Sequence, residues 1–406
     1  MKYDLLSIRD HKSTLKVEAG RPHSRKNVEI ERFGIRRFEN GRIYQASRLG
    51  KSSLDRLLDD TREWGGPGLN HEYGFAPHHV EVRRGKKVEL TVFDQFLDSL
   101  RSLQSQFPQF VFSGRCQIQS SVTTLNSNYG LALEVSGDLC DWYFVYQRRD
   151  SGNMLDGFFG ETTSCPDVQA MIQKQIPFLK VEHKEESLKP GRLPVLFIDP
   201  LQPISKLVDS LHVHKYFEGA GLYSGRLGES LFDSRISLVD AGYDPIRGPL
   251  TFFDGEGTVR SQDWLKVVDQ GVLVDLLSDL RFGKKYGRPS TGNGMRSCRG
   301  GVMLAPRSLR FAPGKRPWKD ILSGLDRCLV VIVAAGGDSN DLGEYSTPVQ
   351  VGFIFEKGEV IGRAPQVTVK TSVADYLGNS LIDVSSDGFD TSSVSPCLIS
   401  EMDIYS

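Results

Sequence analysis

Hydrophobic and polar positions divide this chain into many short strand-patterned runs and a few stretches with the 3.6-residue helical period. Asn27–Phe33 and Gly41–Ala46 read as two strands around a Glu39-Asn40-Gly41 turn signal. Ser52 or Ser53 then caps a predicted helix with Leu54, Leu57 and Leu58 on one face. A second amphipathic helix is predicted over 92–107, where Phe93, Phe96, Leu97, Leu100 and Leu103 share a side. From 110 to 148, β-branched and aromatic runs separated by Gly, Asn and Asp predict four strands: 110–112, 116–118, 129–135 and 142–146. A helix over 167–179, broken near Pro177, closes this part.

The polar segment 183–191 ends in Pro190-Gly191 and is the predicted domain boundary. Beyond it the pattern predicts a buried strand at Leu193–Ile198 and a helix over 203–217. Hairpins are expected around Asp269-Gln270-Gly271 and around the Glu356–Glu359 turn. Cys328–Ala334 is apolar on both parities, as a strand buried on both faces would be. A last helix is expected over 372–383 and a closing strand over 397–404. The fold class is therefore α+β: an N-terminal domain of mixed strands and helices over 1–190, and a mainly antiparallel β domain over 191–406.

At 406 residues the chain exceeds one ordinary core. Hydrophobic content of 39%, charged content of 25% and a net charge of −1 describe an ordinary globular composition, without the basic excess of a duplex nucleic-acid binder. The opening segment is interrupted by charges every few residues and has no apolar core of a signal peptide, so a cytoplasmic protein without membrane association is expected. Six scattered cysteines form neither a disulfide framework nor a zinc ribbon.

Generic motifs fail one by one. Gly50-Lys51-Ser52 lacks the first glycine of a phosphate loop, and Gly219-Ala220-Gly221 follows a predicted helix rather than the strand a dinucleotide fingerprint requires. His214 and Glu218 would share a helix face, whereas His212 would point elsewhere unless the helix breaks. With Cys397, these three are the only weak alternatives for a metal site. No His-Glu-x-x-His or His-Glu-x-x-x-His sequence occurs.

A set of ordered motifs is more specific. Arg37–Ser47, Leu227-Gly228-Glu229, Ser237–Asp240, Phe253-Asp254-Gly255-Glu256-Gly257, the Asp269–Leu273 hairpin, Ser290-Thr291-Gly292-Asn293 and Gly343-Glu344-Tyr345-Ser346 follow one another as in the TldD/TldE (PmbA) family, which the chain resembles along nearly its whole length. The resemblance implies a metallopeptidase scaffold. Its TldD type holds zinc through a His-Glu-x-x-x-His helix and a later cysteine, and its TldE type lacks that helix and pairs with a TldD subunit. The segment before Leu227 has no such helix, so the chain resembles the TldE type.

The resemblance implies no catalytic residue and no cofactor in this chain, with zinc in a partner subunit. The implied partners are a zinc-binding TldD-type homologue and an extended peptide or peptide-like substrate. Residues implied for substrate or partner binding are Phe253, Asp254, Glu256, Thr291, Gly292, Asn293, Glu344, Tyr345 and Ser346. The Thr291–Gly294 segment suits either a docking loop or a tight turn, and the acids of 253–257 read more readily as solvated carboxylates on a turn. A stand-alone peptide-binding protein and an independent metal hydrolase are the competing classes.

Overall fold

The structure is a computed structural model that describes residues 1–153, 155–242, 251–299, 301–389 and 395–405. It opens with a long hairpin, β1 (Lys2–Glu18) and β2 (Arg21–Glu39), paired along its whole length, with a register shift between Lys16 and Val17. The sequence pattern missed β1, and the reason is physical. Asp4 and Asp10 interrupt its apolar alternation, yet both are buried and neutralised across the strand pair by Arg36 and Arg32. Asp4 stands directly opposite Arg36 in the register, so the charge that breaks the hydrophobic pattern is a cross-strand pair.

β3 (Arg42–Leu49) follows the predicted turn, and α1 (Leu54–Glu63) starts on Ser53, whose hydroxyl accepts from Arg56 N. Two short strands, β4 (Leu69–Asn70) and β5 (His79–Arg84), precede α2 (Val92–Gln106). The four predicted strands over 110–148 are two long ones, β6 (Phe110–Ser127) and β7 (Leu131–Arg148), because the polar residues between the apolar runs stay in the ladder on the less buried face. β8 (Gly157–Thr163) adds to β7, giving an eight-stranded sheet in the order β4-β3-β2-β1-β6-β7-β5. Phe96, Leu100 and Leu103 of α2 are buried in the core that covers it. The break expected near Pro177 lies at 174–175, between α3 (Val168–Gln173) and α4 (Ile176–Val181), with Pro177 in the first turn of α4.

β9 (Gly191–Phe197) leads to two short helices, α5 (Ser205–Ser210) and α6 (Val213–Phe217), rather than one helix over 203–217. The continuous helix is interrupted because His212 is extended and the chain beside it bonds like a strand: Val213 N donates to Leu277 O and Leu277 N to Leu211 O. β10 (Leu238–Ala241), β11 (Trp264–Asp269) and β12 (Val272–Leu273) begin a small sheet. After α7 (Leu280–Lys285) come β13 (Gly294–Arg296), β14 (Val302–Leu304) and β15 (Leu309–Phe311), the last completing the order β12-β11-β10-β15.

α8 (Trp318–Ser323) precedes β16 (Cys328–Ala334), the predicted buried strand, then β17 (Asp338–Ser339), β18 (Glu344–Glu356), β19 (Glu359–Arg363) and β20 (Thr368–Ser372). The helix expected over 372–383 is a single π turn at 375–379, because Leu381–Val384 leaves it to pair as β21 with β22 (Leu398–Tyr405). β18 pairs its first half with β20 and its second with β16, which closes a ring β16-β9-β22-β20-β18. The fold is α+β, as the pattern implied.

Side chains from both sides of residue 190 meet in one core: Trp142, Phe144 and Phe178 pack with Leu196, Trp318, Phe353 and Cys397. A smaller core, with Leu6, Leu125, Leu131 and Leu133 against Phe252, Phe253 and Cys298, forms the seam between the large sheet and the 252–298 segment. Gly34 makes that seam possible, since a Cβ there would lie 2.7 Å from Cys298 O. Among the described residues no helix is long and apolar enough to cross a membrane.

Candidate functional site

The 253–259 loop is built by one carboxylate. Asp254 Oδ1 accepts from Glu256 N and Thr258 N, each at 2.9 Å, and Oδ2 accepts from Gly294 N at 2.9 Å. Phe253 bridges Val259 across the turn and packs edge-on against Phe252, with ring centroids 5.0 Å apart. The acids are buried, contrary to the solvated carboxylates expected of a turn. Asp254 and Glu256 are 2% and 1% exposed, because the large sheet closes over the turn.

Glu256 reaches across the seam. Its Oε2 accepts from Leu280 N at 2.8 Å, while Oε1 takes no hydrogen bond and lies 3.8 Å from an Arg36 nitrogen. Burial and the neighbouring Asp254 push its pKa up to about 8, against the pull of Arg36. Burial also pushes Asp254 up, opposed by Arg307 and its backbone donors. Behind Glu256 lies a buried ionic cluster of Asp4, Arg36 and Arg296. Arg36 forks onto Asp4, with Nη2 to Oδ2 at 2.6 Å, Arg296 Nη1 donates to Asp4 Oδ1 at 2.6 Å, and Tyr129 Oη donates to Oδ2 at 3.0 Å. Burial alone would raise the Asp4 pKa, but the two guanidiniums outweigh it and hold the carboxyl below its usual range.

Thr291, Gly292 and Asn293 form a second knot. Asn293 Nδ2 donates to Asp240 Oδ2 at 2.8 Å and to Ala305 O at 3.0 Å, and its Oδ1 accepts from Arg260 Nη2 and Thr291 Oγ1. Arg260 Nη2 also pairs with Asp240 at 2.6 Å. Arg307 donates to the carbonyls of Gly292, Phe252 and Thr258. Burial and the nearby Arg260 lower the Arg307 pKa to about 10. Gly292 has φ +68 and Asn293 is fully buried, so polar atoms of this loop are committed to the protein itself. The knot and the Glu256 turn meet where Gly294 N reaches Asp254.

Glu344, Tyr345 and Ser346 lie on β18. Tyr345 is buried against Phe197, while Glu344 and Ser346 face outward, with Asn340 Nδ2 donating to Glu344 at 2.8 Å. Among the described residues, no hydrogen bond or ion pair joins these three to the 253–293 set. Asp4, Arg36, Tyr129, Asp240, Arg260, Arg296 and Arg307 were not singled out by the sequence reading. For Asp4, Arg36 and Asp240 the signal was charge embedded in strand runs, whereas Arg260 and Arg307 lie in loops.

The structure does not gather the four candidate metal ligands His212, His214, Glu218 and Cys397 into one set. His214 Nδ1 lies 2.9 Å from Tyr286 Oη, which donates to Glu218 Oε1 at 2.7 Å, and Lys285 Nζ donates to the same oxygen at 2.8 Å. The His214 ring also stacks on Phe282. His212 caps the break before α6, and Cys397 is buried in the core with Trp142 and Phe353. Among the described residues, no three His, Cys, Asp or Glu side chains are grouped to hold a metal ion.

The architecture combines a closed β ring, a long-stranded sheet and a buried Asp-x-Glu turn at the seam between that sheet and the 252–298 segment. Residues 194–406, just over half of the chain, match the model of the PmbA/TldA metallopeptidase C-terminal domain, and the chain belongs to that family. TldE of Thermococcus kodakarensis has the same fold, with a TM-score of 0.85 at 18% identity over 100% of this chain and 97% of that one. The zinc metalloprotease TldD homolog of Saccharolobus solfataricus is 23% identical over 208 residues, which is 50% of this chain and 46% of that protein. An uncharacterized protein of Methanocaldococcus jannaschii is 25% identical over 139 residues, 34% of this chain and 32% of its own length. Both alignments thus span less than half of the relative.

Proposed function

We propose that this chain is the non-catalytic, TldE-type subunit of a heteromeric zinc metallopeptidase or amide hydrolase, acting on unstructured or modified peptides or a peptide-like intermediate. The observation that carries the reading is the segment ahead of Leu227-Gly228-Glu229. Where catalytic members of the family place their zinc helix, this chain has a five-residue helix, and its His214 and Glu218 are engaged by Tyr286 and Lys285. Those bonds use His214 Nδ1 and Glu218 Oε1, and among the described residues no third His, Cys, Asp or Glu joins the pair in a group that could hold a metal ion. The whole-chain likeness to TldE of Thermococcus kodakarensis supports the same reading.

In this reading Glu256, Asp254 and the 291–294 loop set the shape of the seam beside which a substrate passes, and the zinc chemistry belongs to the partner.

The test is co-expression with a zinc-binding TldD-type homologue. The pair should co-elute and hydrolyse unstructured peptides. The isolated chain should do neither and carry less than roughly 0.1 equivalent of zinc, since a stoichiometric set of the usual ligands would fill. Peptide hydrolysis by the metal-loaded chain alone would overturn the reading.

A further inference from the structure

A cavity of about 420 Å³ opens between the loop that follows β4 and the helix α7, lined by Asn70, Glu72, Tyr73, Arg281, Lys284 and Lys285. The volume falls within the ordinary range of small-ligand pockets. Its lining is charge-imbalanced, with three cations facing one acid. Lys285 is paired with Glu218 at 2.8 Å. Lys284 Nζ donates to the main-chain carbonyl of Glu72, an acceptor that leaves its charge uncompensated. Arg281 lies along the Phe282 ring, with 5.1 Å from guanidinium to centroid. Asp279, which faces Arg281, is buried and caps α7 through Phe282 N at 2.7 Å. Among the described residues, no carboxylate lies within ion-pair distance of Arg281 or Lys284.

Tyr73 completes the donor set. Burial and the nearby Glu256 push its phenol up to about 12, so it stays protonated and able to donate. Asn70 belongs to β4, the edge strand of the large sheet, and Leu69 beside it is exposed. An extended chain running along this edge would meet an apolar lip, an amide, a phenol and two uncompensated cations in turn.

We propose that this cavity seats a carboxylate of the bound peptide, with Arg281 and Lys284 supplying the charge and Tyr73 a hydrogen bond. The proposal rests on the peptide-handling reading above and gives that substrate a chemical handle. Hydrogen bonds to charged groups contribute about 1.5–3 kcal/mol each. Losing one should therefore weaken binding roughly ten- to a hundredfold.

The experiment is fluorescence anisotropy on the full chain with three N-terminally labelled penta-alanine probes. One has a free C-terminus, one is C-terminally amidated, and one is amidated with a central Glu. The free-acid probe, the Glu probe or both should bind at least about tenfold more tightly than the neutral amide, and added salt should reduce the difference. Which acidic probe is preferred tells a terminal carboxylate from a side-chain one. The Arg281→Gln/Lys284→Gln variant should lose the preference while its melting temperature and its affinity for the neutral amide stay unchanged. Equal binding of all three probes by the parent chain, or a preference that survives in the variant, would overturn the proposal. The assay needs no zinc subunit, so failure to pair with a TldD-type partner would leave this result standing.

Discussion

Arg296 donates to Asp4 at 2.6 Å across 292 residues of chain, and so ties the first strand to the Asp-x-Glu seam. Asp4 is the only anion shown hydrogen-bonded to either Arg36 or Arg296 among the described residues, and all three side chains are 4% exposed or less. Removing one member of a buried ion cluster strands the others and costs about 3–5 kcal/mol. Asp4→Asn should therefore lower stability by that order, measured by urea denaturation. A loss below roughly 1 kcal/mol would mean that the cluster is wet or slack.

Glu256 makes the seam pH-dependent. Its folded pKa of about 8 lies above the ordinary carboxylate value of 4.5, so the folded state binds more protons than the unfolded state between the two. Its contribution is complete at low pH and is lost as pH rises toward about 8. His71 and His212, both lowered by burial, act in the opposite direction, but they titrate below their ordinary value of 6.5. Between about pH 7 and 8, stability should fall with rising pH, and Glu256→Gln should flatten the slope. An identical slope in the variant would assign the dependence elsewhere.

Asn293 sits at the crossing of the second knot, bonded to Asp240, Arg260, Thr291 and Ala305. Asn293→Ala leaves the Asp240 and Arg260 groups short of a partner in a buried site. The expected loss is roughly 2–3 kcal/mol in thermal or chemical unfolding. If the loop were instead an exposed docking element, the variant would unfold like the parent and lose only peptide binding.

What the sequence made legible follows the same physics. Hairpins announced themselves where the turn chemistry is local: Gln270-Gly271 and Lys357-Gly358 both take the paired positive φ that a two-residue hairpin needs. α1 and α2 were legible because their apolar faces repeat cleanly. β1 was not, because Asp4 and Asp10 look like solvent positions until Arg36 and Arg32 are seen opposite them. The burial of Asp254 and Glu256 was hidden for the same reason, since the covering strands, β1, β6 and β7 among them, are distant in sequence. The break at His212 also depends on a distant strand-like partner, Leu277.

Gly271 offers a local test of that turn chemistry. It has φ +82, and a Cβ there would lie 2.3 Å from Phe232 O. Gly271→Ala therefore combines backbone strain with a collision against main chain. The expected destabilisation exceeds about 1–2 kcal/mol. Gly287, with φ +65 but open space around it, is the control. Its alanine variant carries the strain alone and should lose less.

The last prediction separates the two places where a metal could be sought. His214 is about 44% exposed and held by Tyr286, whereas Cys397 is buried beside Ile399 and Phe353. If zinc belongs to a partner subunit, His214→Ala and Cys397→Ala should leave both the zinc content and the peptidase rate of the reconstituted pair unchanged. Their structural costs should still differ: a few tenths of a kcal/mol for the half-exposed histidine, and about 1 kcal/mol for the buried thiol. Stability loss at Cys397 with full activity is the signature of a packing thiol. Loss of zinc on either substitution, at unchanged stability, would instead make that side chain a ligand and the chain a metalloenzyme in its own right.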